Sequence, residues 1–185
     1  MKNTYFTSYF PLISILLFST SLSISTVMHV IDYLKTFGIY DGMLEFFSAN
    51  GIKLALFILF ALIYFMVFSA LKLIANTVTE LSLLFFSKES TGESLTKIRG
   101  GSSFYLIGGA LSLLSIQFIV GIAAVFVVTS VIYFVFIVYQ ISSALTSYSL
   151  IGLVLFQVLF WFTFLLGNVY LFVRLYNSVM ASLPI

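Results

Sequence analysis

From Gly100 to Val173 the chain runs for 74 consecutive residues without an Asp, Glu, Lys, Arg or His. As one α-helix at about 1.5 Å per residue that stretch would be about 110 Å long, against a bilayer hydrocarbon core of roughly 30 Å, so it has to fold back on itself. The rest of the chain agrees. Of its 185 residues, 62% are hydrophobic and 8% charged, and the mean hydropathy is +1.20. That leaves too little polar surface to cover a water-soluble globule of this size. The apolar runs are long rather than alternating in ten-residue segments, which argues against a transmembrane β-barrel. Helices are then the remaining way to satisfy the backbone inside hydrocarbon. The predicted fold is all-α: a polytopic transmembrane helical bundle forming one domain over residues 1–185.

Five spans are expected. The first apolar run, Phe10 to Ile31, is 22 residues and covers the hydrocarbon core alone. A cleavable signal peptide is the competing reading, but only Lys2 supplies a basic flank and the run exceeds the usual ~7 to 15 residues. A second span, about 52–75, is bracketed by Lys53 and Lys72, whose stems can snorkel to opposite interfaces. Within the charge-free stretch, the polar run Ser142 to Ser149 marks a turn and leaves a last span at about 150–175. Phe104 to Ile141, roughly 57 Å as a helix, reads as two crossings at about 103–121 and 124–145. Gly121 to Ala124 divides it most evenly, and Thr129-Ser130 is the alternative turn. One long tilted helix there would give four spans.

The distribution of Lys and Arg sets the expected orientation. Lys72, Lys88, Lys97 and Arg99 fall between spans two and three, whereas Lys35 and Lys53 fall between spans one and two. This places the N-terminus and the 76–102 connection in the cytoplasm. Five spans put Arg174 and the C-terminus outside, with five basic residues inside and three outside. Four spans would give six against two, so the charge rule mildly prefers four while the apolar length prefers five.

Few residues are equipped for chemistry. With no Cys, disulfides, thiolate metal sites and thiol catalysis are excluded. A net charge of +2 spread along the chain, and a single Arg99-Gly100-Gly101 triplet better read as a membrane anchor and turn, give no basis for a nucleic-acid partner. His29 and Asp32 share a helical face, and Asp41 and Glu45 follow in the same outer loop, but one His does not define a metal site. No cofactor motif occurs, and no nucleophile is paired with a base, so no enzymatic activity is expected.

Two sets of residues stand out as candidate sites. Gln117, Gln140, Gln157 and Asn168 are amides costly to leave unpaired in hydrocarbon. Gln140 and Gln157 lie at similar depth on either side of the Ser-rich turn, positioned to hydrogen-bond each other, with Gln117 and Asn168 toward the opposite side. They act as interhelical glue or as the polar lining of a solute path. Beyond span two, Leu71, Ile74, Val78, Leu81 and Phe85 recur at helical spacing, which predicts an amphipathic extension, cytoplasmic or interfacial, whose apolar face packs on this protein or docks another. Small residues also recur four apart, Ser19 with Ser23, Ser21 with Ser25 and Gly108 with Ser112, where helices can approach closely. Tyr5, Tyr9, Tyr105, Tyr148 and Tyr176 fit interfacial belts.

Three stretches carry a family resemblance: Met1 to Tyr5 with Tyr9-Phe10-Pro11-Leu12, Phe37 to Met43, and Glu80 to Lys88. They resemble the YufK-type family of small bacterial integral membrane proteins over nearly the whole chain. The resemblance implies a bacterial plasma-membrane location and carries over no functional residues. Apart from the lipid bilayer, the expected partner is another membrane protein or a second copy of the chain. The leading expectation is a non-enzymatic accessory or assembly partner, and the alternative is a small oligomeric transporter or channel for a polar solute or ion.

Overall fold

Serines line the inner face of the first helix, α1 (Phe10–Thr36), and let two other helices approach it closely. Ser14, Ser19, Ser21, Ser23 and Ser25 are all 2% exposed or less. A computed structural model describes residues 8–87 and 98–182 of the chain. In it α1 is central, with α3 (Ala49–Phe86) and α4 (Ser102–Leu114) packed closely against it. The hydroxyls of Ser14, Ser21 and Ser23 donate to the carbonyls four residues back, Phe10, Leu17 and Ser19, which satisfies them without exposing a polar group to lipid. Ser21 Oγ also lies 2.8 Å from Ser112 Oγ on α4. The hydroxyls of Ser19 and Ser25 have no hydrogen-bond partner among the described residues.

The described residues form six α-helices and no strands. Gly38, at φ +70°, lets the chain leave α1 in the left-handed conformation and enter the short α2 (Ile39–Leu44). Ser48 then caps α3 by accepting the N–H of Gly51 at 3.1 Å. α3 is 38 residues, about 57 Å, and continues straight through the end of predicted span two. After a 3-10 turn at Arg99–Gly101 come α4, α5 (Ile119–Ser142) and α6 (Ser147–Ser182). Three apolar clusters stack along the bundle: Val27, Ile31, Tyr40 and Ile52 at one end; Phe18, Phe68 and Ile122 between; Leu83, Ile98, Ile137, Ile141 and Leu153 at the other.

Four helices, α1, α3, α5 and α6, are long and apolar enough to cross a membrane. The region 104–141 is not one long helix: α4 and α5 form an antiparallel hairpin, held by Tyr105 Oη donating to Ser130 Oγ at 3.0 Å and by Phe104 against Phe136. Its turn falls at Ser115 to Phe118, not at the expected Gly121 to Ala124, which lie inside α5. The expected position assumed two crossings of equal length, whereas α4 has 13 residues, about 20 Å, shorter than the hydrocarbon core. Gly109 packs on Leu17, and Ser112 meets Ser21, so α4 runs parallel to α1 and the hairpin tip comes down only about halfway along it.

The extension beyond span two is the last turns of α3, helical to Phe86; residues 88–97 lie outside the described residues. Its predicted apolar stripe is not buried as one face. Val78 is buried and Leu71 and Ile74 are half-buried, but Leu81 and Phe85 are exposed. The inward face here is Val78, Ser82, Leu83 and Phe86, because the neighbour changes from α1 to α6 and the buried side rotates with it.

Candidate functional site

Lys72 lies on α3 between the middle cluster, with Phe68, and the cluster of Leu83, Ile137 and Leu153 (the upper cluster), where five helices converge. Counted from Ala49 it is the 24th residue of α3, so it sits about 36 Å along the helix, the far edge of a hydrocarbon core of roughly 30 Å. The sequence placed it at an interface, free to snorkel. The structure encloses it between helices: Lys72 is half-buried and lines a cavity of about 550 Å³ bounded by α1, α3, α4, α5 and α6.

The cavity wall is mostly apolar and strongly aromatic. Phe18, Phe68 and Phe126 form a three-ring cluster with centroids 5.1 to 5.7 Å apart, and Tyr105 packs on Phe126 and, edge-on at 5.1 Å, on Tyr133. Lys72 Nζ stands 5.6 Å from the Tyr133 ring centroid, within cation–π range. Two polar relays border this space. Tyr105 Oη donates to Ser130 Oγ, which donates to the Phe126 carbonyl. Gln157 Nε2 donates to Ser82 Oγ at 3.1 Å, which donates to the Thr79 carbonyl. Among the described residues no carboxylate pairs with Lys72, and the Tyr133 hydroxyl makes no hydrogen bond.

The four amides separate. Gln157 is buried and joins α6 to α3 through Ser82, not to Gln140, which is half-buried on α5. Gln117 is exposed in the hairpin turn. Asn168 donates to the Phe164 carbonyl of its own helix at 2.8 Å and joins no second helix among the described residues. His29 is exposed, its Nδ1 2.8 Å from the Ser25 carbonyl. No group of three His, Asp or Glu suited to a metal ion occurs among the described residues. Lys72 was the residue that sequence reasoning missed. A lysine followed by another 14 helical residues, several apolar, was the available signal.

A second feature is the far half of α6. From Leu165 to Met180 every large apolar side chain is between 41% and 70% exposed, on all sides of the helix. Three other glycines of the bundle helices are placed where another segment comes close: a Cβ on Gly108 would run into Thr129 Oγ1, one on Gly109 into Leu17, and one on Gly152 into the Phe86 ring. A Cβ on Gly167 would meet nothing within 4 Å.

Residues 27–184 match the model of a family described as "Family of unknown function (DUF5366)". The chain is 59% identical to the "Uncharacterized membrane protein YufK" of Bacillus subtilis (strain 168) over 185 residues, covering both proteins completely. No solved structure matches.

Proposed function

Because the chain belongs to the DUF5366 family, a family of membrane proteins without an assigned activity, we propose that it is a non-enzymatic accessory or assembly partner in the bacterial plasma membrane. It acts by lateral helix association with a different membrane protein. The observation that carries this reading is Gly167. Small residues in membrane helices mark close helix approach, and glycine costs a helix interior roughly 1 kcal/mol relative to alanine. Gly167 has no close neighbour among the described residues and lies in a helix segment whose apolar side chains are exposed all round. A helix from another protein, seated beside Gly167 and Asn168, gives the glycine a packing role and the amide a second partner.

The basic residues support an N-terminus and a 76–102 connection on the cytoplasmic side, which puts the free end of α6 at the outer leaflet. A photo-crosslinking residue at Leu171, followed by purification from native membranes in mild detergent, tests the proposal. A discrete adduct with one other membrane protein is the expected result. Recovery of the uncrosslinked chain alone, or of a dimer of this chain only, overturns it.

The cavity beside Lys72 favours a second reading, a small transporter or channel for a polar solute or ion. An ionisable side chain on a membrane-spanning helix that faces a cavity commonly marks such pathways. Flux in proteoliposomes that falls on Lys72→Ala would support this reading, and unchanged flux would remove it.

A further inference from the structure

We propose that the cavity beside Lys72 is a binding site for one anionic phospholipid of the bilayer, its phosphate at Lys72 and an acyl chain along the aromatic wall. Three observations converge on this occupant. The first is charge. The Lys72 ammonium stands over the face of the Tyr133 ring, and neither the ammonium nor the Tyr133 hydroxyl, both donors, finds an acceptor among the described residues. An ammonium enclosed by apolar groups without a counter-charge is costly, and an anion with acceptor oxygens satisfies both groups.

The second observation is shape. The cavity, about 550 Å³, falls within the ~300–1,000 Å³ range of small-ligand sites, and its lining is almost entirely hydrocarbon away from Lys72. An inorganic anion would use the charge and leave the rest unfilled. A lipid uses both. The third is access. The rim residues Val127 and Val131 on α5, and Phe162 and Leu165 on α6, are 56% to 61% exposed, so the cavity opens sideways between two helices where lipid lies. Lys72 shares the cavity wall with Pro11 and Ser14 in the first turns of α1, so it stands near one end of that helix rather than at its middle.

Trp161 lines the cavity and is the sole tryptophan, so it reports occupancy directly. The full chain is reconstituted in phosphatidylcholine vesicles containing increasing fractions of phosphatidylglycerol or phosphatidylcholine with brominated acyl chains. Brominated phosphatidylglycerol should quench Trp161 with an apparent preference of about fivefold, the scale of one basic side chain's attraction for an anionic lipid. Lys72→Gln should abolish the preference, Lys72→Arg should keep it, and Gln140→Ala should leave it unchanged. Should Lys72→Gln fail to insert, Tyr133→Phe, which keeps the ring and removes one donor, should give a partial loss. Equal quenching by the two lipids in the wild-type protein overturns the proposal, as does a full preference in a helical Lys72→Gln protein. Loss of the preference on adding glycerol phosphate to the buffer also overturns it, because the site then takes a soluble anion.

Discussion

At the residue scale, the bundle depends on side chains that are small. Gly108 is the tightest case, since the Cβ of an alanine there would run into Thr129 Oγ1 and lie 2.9 Å from its methyl group. Gly108→Ala should therefore destabilise the protein by about 1–3 kcal/mol, the cost of overpacking, and Thr129→Ala in the same background should recover much of the loss. Thermal unfolding in detergent, followed by helicity, measures both; no recovery in the double variant would mean that the hairpin contact is not the cause. The serines of α1 divide by a different criterion. Ser21 is hydrogen-bonded to Ser112, whereas Ser25 is buried with no partner among the described residues. Ser21→Ala should cost about 0.6 kcal/mol, near the average for a polar contact between membrane helices, and Ser25→Ala should be neutral or stabilising because it removes an unsatisfied hydroxyl. Equal losses in the two variants would contradict this assignment. The four-residue spacing of small residues was legible in the sequence because it follows from helix geometry alone. Which serine has a partner was not, because that depends on how far α4 reaches down α1.

At the element scale, α6 is fastened to the bundle through its first three turns, with Gly152 under the Phe86 ring, Leu153 in the upper cluster and Gln157 on Ser82. The Gln157 bond to Ser82 is buried, so the two residues should be coupled. A double-mutant cycle with Gln157→Leu and Ser82→Ala, read by thermal unfolding in detergent, should give an interaction of about 0.6 to 1.7 kcal/mol. The same cycle between Gln157 and Gln140 should give none. The sequence singled out Gln157 as an intramembrane amide that needs a partner, and it proposed Gln140 as that partner on depth alone. Depth along neighbouring helices does not fix rotation, and α6 turns this residue toward α3. The hairpin turn was missed for a related reason. Halving an apolar stretch presumes two segments of equal length, whereas α4 has 13 residues and α5 has 24. The cavity beside Lys72 was not legible either, because a lysine at the end of a span reads as solvated unless the helices that cover it are known.

At the scale of the whole molecule, the hairpin fixes which end of the bundle each terminus occupies. α4 descends beside α1, and α5 returns, so the chain re-emerges at the end where α4 began. α6 starts there too, with Gln157 beside Ser82 near the end of α3, and runs back for 36 residues toward the end where α3 began. This holds whether α4 and α5 cross the bilayer fully or dip into it and return, because either route brings the chain back to the same side. The C-terminus should therefore lie across the membrane from the N-terminus, unlike the arrangement in which residues 104–141 form a single crossing. Reporter fusions at the C-terminus and at Ala144, in the α5–α6 turn, distinguish the two. Phosphatase activity, which requires export, should appear at the C-terminus and be absent at Ala144, with a fluorescent cytoplasmic reporter giving the converse pattern. The reverse pattern at both positions would invert the charge-based orientation while preserving the fold, since only the side of the membrane changes. Matching reporter states at both positions would mean that α6 does not cross, and the bundle as described would fail.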